Sequence, residues 1–206
     1  MGQNSPARGR PRSFDPDRVM ADVRNVFWRH GYSGTSMDQL AAATGLHKPS
    51  LYGAFGDKKR LYLEALGRYL AEIRTQLAAA LAQPRLLDAL GDLAERAIDI
   101  FTANGPNGCF MMSTAMTEAA GDAEISAVVR GAMDSLDRAL AQRFRGAIEA
   151  GELAGDADVE GLARIVVAGH YDLSARARAG YSRDELRALA ARTRELVKKL
   201  GGLSEA

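Results

Sequence analysis

The chain has 206 residues, of which 47% are hydrophobic, 26% charged and 6% aromatic, and its net charge is +1. This is ordinary globular composition, long enough for one or two domains with a substantial core. No apolar run reaches the ~18 residues of a membrane span, and the N-terminus lacks a signal-peptide segment, so a cytoplasmic protein without a membrane partner is expected.

Alanine, leucine and arginine abound, runs of Val, Ile and Thr are missing, and no strand-like alternation is bounded by turns; an all-α fold is expected. The single cysteine rules out an internal disulfide and cysteine-rich zinc sites. Charge is unevenly placed. Residues 1–62 hold ten Lys and Arg against five Asp and Glu, a surplus of +5, and the remainder is −4. A basic head on an acidic body suits a head that meets phosphate.

Residues 1–13 are polar and rich in Gly, Pro and Arg, the composition of a flexible arm. Arg8-Gly9-Arg10-Pro11-Arg12 is similar to the core of an AT-hook, whose extended arginines enter the narrow minor groove. A solvated basic tail is the other reading, and both add phosphate affinity. Asp15-Pro16 opens the first helix, with Val19, Val23, Val26 and Phe27 inward, Met20 and Trp28 at the edge of that face, and Gly31 as its end. Ser36 and Gln39 form a capping box for a second helix. Leu40 and Ala41 face inward, Gly45 permits a left-handed turn, and Leu46 plugs the corner. A third helix begins near His47 or Lys48, accepts Pro49 in its first turn, and buries Leu51 and Phe55. This pattern describes a helix-turn-helix; a helical hairpin that only packs is the alternative. Its second helix places His47, Lys48 and Ser50 for a major groove, and the Tyr52 hydroxyl for a phosphate; Ser36 stands at the start of the first.

Gly31-Tyr32, Thr35-Ser36-Met37, Leu40-Ala41, Thr44-Gly45-Leu46, Leu51-Tyr52, Phe55 and Asp57-Lys58-Lys59-Arg60-Leu61 together resemble the TetR family of bacterial transcription regulators. The motif spans the first third of the chain; the rest matches in length and helical layout. His47 stands where Ser or Thr is usual, Pro49 where Gly is usual, and Ala54 where Tyr or His often contacts DNA. The resemblance implies that Lys58 holds a DNA phosphate, beside backbone N–H groups at a helix start. A solvated surface lysine is the alternative.

Asp57 caps a fourth helix to about Leu81, before Pro84. Another runs from about Arg85 to Ala103, and Asn104-Gly105-Pro106-Asn107-Gly108 breaks the chain. A short helix covers about Cys109–Ala119 and a long one about Glu124–Ala150. Asp156 or Asp158 starts the next, to about Ala179. Ser182 with Glu185 makes a second capping box for the last, to about Leu200. The total is about nine helices. They divide into an arm (1–13), a DNA-binding helix-turn-helix domain (14–60) and a larger effector-binding and dimerisation domain (61–206). In the family, the last two helices pair with their copies in a homodimer. Here their apolar faces are Leu162, Ile165, Val166, Gly169 and Leu173, and Leu186, Leu189, Thr193, Leu196, Val197 and Leu200. Burial inside one chain would give the same periodicity.

No nucleophile elbow, Walker A loop, dinucleotide fingerprint or HExxH occurs, and His30, His47 and His170 lack metal-ligand spacing; no enzyme, metal or cofactor is expected. The resemblance implies a repressor that binds a palindromic operator in double-stranded DNA as a homodimer and is released by a small apolar or amphipathic effector. Methionine and aromatic residues on the central helices are the candidate effector contacts: Phe101, Phe110, Met112, Met116, Met133, Phe144, His170 and Tyr171. Cys109, at a helix start that favours a thiolate, is a possible redox or electrophile switch; a small buried hydrophobe is the bland alternative. An architectural DNA-binding protein without a ligand is the remaining reading.

Overall fold

A computed structural model describes residues 14–103, 105 and 107–203. Among them are nine α-helices and no strand: α1 (Pro16–His30), α2 (Met37–Thr44), α3 (Lys48–Phe55), α4 (Lys58–Leu81), α5 (Leu86–Thr102), α6 (Phe110–Thr117), α7 (Ala123–Glu149), α8 (Val159–Arg178) and α9 (Arg183–Leu200). The arm at residues 1–13, with Arg8, Arg10 and Arg12, lies outside the described residues.

Local chemistry places the helix starts. Asp15 Oδ1 accepts from the N–H groups of Asp17 and Arg18, and Pro16 needs no partner at the first helical position. Both expected capping boxes form, Ser36 with Gln39 and Ser182 with Glu185. Asp57 accepts from Arg60 N–H at the head of α4. Of the two candidates for α8, Asp158 is the cap, accepting from Gly161 N–H at 3.0 Å. Gly45, at φ 68° and ψ 13°, supplies the left-handed turn between α2 and α3 that a side chain would strain.

The buried residues form two cores. One begins in the head with Val19, Phe27, Leu40, Leu51 and Phe55 and continues without a break through Tyr62, Tyr69, Phe101, Phe110 and Leu173. The other fills the far end of the body, around Leu86, Leu140, Phe144, Leu162 and Val197. Head and body are therefore joined by packed side chains. Their junction is aromatic: Phe27 meets Tyr62 edge-on at 4.9 Å, and Trp28 meets Tyr69 at 5.0 Å. Trp28 and Met20 are not at the edge of the α1 face, as expected from spacing, but buried. The reason is tertiary. α4 and α6 cover the second side of α1, and the indole Nε1 donates to the Asn107 carbonyl at 3.2 Å.

The α8 and α9 faces also differ from a simple dimer stripe. Leu162, Val166, Leu173, Leu186 and Val197 are buried within the chain, because α5, α8 and α9 pack on one another. Gly169 lies so close to α9 that a Cβ there would meet Thr193 Oγ1 at 2.8 Å. Leu196 and Leu200 alone among the expected face residues remain exposed.

Candidate nucleic-acid interface and body cavity

The first turn of α3 points away from the core. His47 is its N-cap but offers no side-chain cap bond, so the imidazole is left outward. His47, Lys48, Ser50 and Tyr52 are all exposed, while Leu51 and Phe55 on the opposite face hold the helix to the head. Lys48 Nζ pairs with Asp38 Oδ1 at 2.6 Å across the α2–α3 corner. Both groups are exposed, so the pair is weak and easily exchanged for a phosphate or base edge. Ser36 Oγ is occupied in capping, accepting from Gln39 N–H at 3.2 Å.

Lys58 is placed differently from the family expectation. Its Nζ donates to the carbonyls of Tyr32 and Thr35, both at 2.9 Å, and lies 4.2 Å from the centre of the Tyr32 ring. The ammonium closes the α1–α2 turn from below. Glu118, at the end of α6 and 8% exposed, holds the same turn from the body side. Its Oε1 accepts from Tyr32 N–H at 3.2 Å and Ser33 N–H at 3.4 Å, and its Oε2 accepts from the Ser33 hydroxyl at 2.9 Å. Motif reading had missed Glu118. No local signal marked it, because its burial, and so its need for donors, comes only from the packing of α6 against the head.

A cavity of about 480 Å³ opens between α4, α5, α7 and α8, within the range of small-molecule sites. Of the eight expected contacts, Phe101 and His170 line it, and Cys109 joins them. Phe110 is instead in the aromatic junction, between Tyr62 and Tyr69. Phe144 is fully buried in the far core. Met112, Met133 and Tyr171 are partly buried against the cores and do not line the cavity, and Met116 is 81% exposed. The wall comes mainly from an overlooked stripe of α4, Tyr69, Leu70, Ile73 and Leu77, whose three-four spacing was the readable signal. Burial lowers His170 to about 4, so its imidazole is neutral at pH 7.

Cys109 is the N-cap of α6, as expected, but is not a thiolate site. It is buried, and that burial pushes its thiol up, outweighing the backbone N–H groups of Met111 and Met112. The Tyr69 hydroxyl donates to its Sγ at 3.3 Å, and its own N–H donates to Ser174 Oγ at 2.8 Å. The helix-start argument for a thiolate is thus overridden by desolvation.

Known proteins share this fold. Residues 22–65 match the family model described as bacterial regulatory proteins, tetR family, and residues 86–193 match the tetracyclin repressor-like C-terminal domain. The HTH-type transcriptional repressor ComR of Escherichia coli K12 is 30% identical over 197 residues, 94% of each chain. A cysteine mutant of the TetR-family regulator CifR, solved on a 26-bp operator duplex, is 31% identical with a TM-score of 0.83, covering 90% of this chain and 98% of that one. A putative TetR regulator from Rhodococcus sp. RHA1 is 34% identical with a TM-score of 0.63, covering 89% and 98%. With an outward α3 on a helix-turn-helix head and both domain models matched, the chain belongs to the TetR family of DNA-binding transcriptional regulators.

Proposed function

We propose that this regulator is a ligand-responsive repressor, binding a palindromic operator as a homodimer and released by a small apolar or amphipathic effector held in the body cavity. One observation carries the reading: α6 is flanked by its N-cap Cys109 on the cavity wall and by its C-cap Glu118, which holds the α1–α2 turn of the DNA reader. An occupant that displaces the first turn of α6 acts on the reader through a single short helix. A molecule that favours the displaced conformation weakens DNA binding by the same coupling free energy.

In this reading the chain works as the arm at 1–13, a reader at 14–60 and an effector and dimer body at 61–206. His47, Lys48 and Ser50 meet base edges, while Ser36, Tyr52 and Lys58 meet the backbone; Arg10 and Arg12 add the arm's contacts. Lys58 has to turn from the Tyr32 and Thr35 carbonyls to do so. The proposed dimer contact uses the outward sides of α8 and α9, where Leu196 and Leu200 are exposed. A two-fold pair sets two α3 helices about 34–36 Å apart, one turn of DNA. Footprinting on the neighbouring promoter and fluorescence anisotropy against random duplex test this. The expected result is a protected palindrome and a steep salt dependence. Equal affinity for protected and random DNA at moderate salt would sink it.

A further inference from the structure

The charged side chains of the cavity wall stand toward one end. The inner end, next to the aromatic junction, is formed by Phe101, Met111 and Val128. The other end carries Arg74 of α4, Arg96 of α5 and Arg138 of α7 beside the apolar Leu77, Leu93 and Leu136, and no aspartate or glutamate is among the lining residues. At 1.5 Å per residue, Arg74 lies about 8 Å farther along α4 than Tyr69, which marks the inner end. Arg96 is fixed there, with Nε donating to Asp92 at 3.0 Å and Nη1 donating to Gln76 at 2.6 Å. Arg74 and Arg138 make no hydrogen bond or ion pair among the described residues, although Asp134 stands one turn before Arg138 on α7.

Single surface arginines are ordinary. Three from three different helices, gathered at one end of an apolar cavity without an acid among its walls, form a fork-rich cationic mouth. We propose that the effector is an amphipathic anion, whose carboxylate or phosphate is held by Arg74 and Arg138 and whose apolar body reaches inward to Phe101 and Met111. Arg96, its charge offset by the pair with Asp92, holds α5 to α4 through Gln76. Neutral His170 at the inner end adds no second charge, so the apolar part is not met by a cation. This inference rests on the effector reading of the cavity.

The test is calorimetric titration of the full chain with four probes of one chain length: decanoate, decyl phosphate, decanol and decylamine. The expected result is that decanoate or decyl phosphate binds at least about tenfold more tightly than decanol, with decylamine weakest. Whichever of the two anions binds more tightly identifies the head group. In Arg74→Ala/Arg138→Ala, the ratio of anion to alcohol affinity should collapse toward one, and in Arg74→Lys/Arg138→Lys it should be largely retained. Reading the ratio within each variant separates head-group recognition from any change in folding. Decanol or decylamine binding as tightly as the anions would overturn the inference and leave a sensor of another ligand class. Binding of none of the four would overturn the inference together with the effector reading on which it stands.

Discussion

Lys58 and Lys48, ten residues apart, are held very differently: the first is engaged inside the head and the second is exposed. Lys58 donates to two carbonyls, so Lys58→Ala leaves those acceptors and the Tyr32 ring without their cation. Urea melts of the free protein should show a loss of about 1–3 kcal/mol. An unchanged midpoint would mean that the ammonium is free in solution for a phosphate. Lys48 has only an exposed pair with Asp38, so Lys48→Ala should leave the melt within about 0.5 kcal/mol and lower operator affinity by about 1–3 kcal/mol if it reads a base. Cys109, with its thiol pushed up and the Tyr69 hydroxyl on Sγ, should be alkylated by iodoacetamide at pH 7 far more slowly in the native than in the urea-unfolded chain. Mass spectrometry of the two states measures it. Equal rates would return the redox reading to the front.

Helix α6 links the cavity wall to the head. It is short, and three of its partners belong to other elements. Its cap N–H is held by Ser174 of α8, the Thr114 hydroxyl is 2.8 Å from the Tyr62 hydroxyl of α4, and Glu118 beyond its last turn holds the α1–α2 turn. Gly108 makes this close approach possible. Its φ is +64°, and a Cβ there would stand 2.5 Å from the Ser174 carbonyl oxygen. Gly108→Ala combines left-handed strain with a clash against backbone, so it should cost more than about 1 kcal/mol and shift α6. Glu118→Gln acts at the opposite end. It weakens the acceptor of three hydrogen bonds and should lower operator affinity with α3 untouched. Anisotropy titration with the footprinted duplex checks it. Wild-type affinity in Glu118→Gln would remove α6 as the link between cavity and reader.

At the scale of the molecule, the continuous core makes head and body respond together to anything that alters burial. His170, on the cavity wall against Phe101 of that core, is held by desolvation at about 4 against its ordinary 6.5. Between those two values the unfolded chain binds a proton that the folded chain does not. Stability from this group is therefore complete above about pH 7 and falls as the pH drops from 6.5 toward 4, by at most about 3 kcal/mol. The difference between wild type and His170→Gln in denaturant midpoints across pH 4–7 should reproduce this slope. A constant difference over that window would show that the imidazole is as accessible to protons as a free one.

What could be read along the chain was what neighbours within a few residues decide. Asp15-Pro16, the Ser36–Gln39 and Ser182–Glu185 boxes, Gly45 and Asp57 set helix starts and turns by bonds spanning at most a turn, so the all-α fold and the outward α3 were legible. The helix-turn-helix was legible for the same reason, since its corner is local. The cavity wall was not. Periodicity identifies an apolar face without saying what covers it, so Phe110 and Phe144 were indistinguishable from Phe101, and the α4 stripe was overlooked. Lys58 turned inward because Tyr32 and Thr35, more than twenty residues earlier, offered carbonyls that needed a donor. Cys109 lost its expected thiolate because desolvation by α4 and α8, distant in sequence, exceeds the pull of its own helix start. Short-range hydrogen bonding is written in the order of residues, whereas burial, and with it charge state and cavity shape, depends on which helices the folded chain brings together.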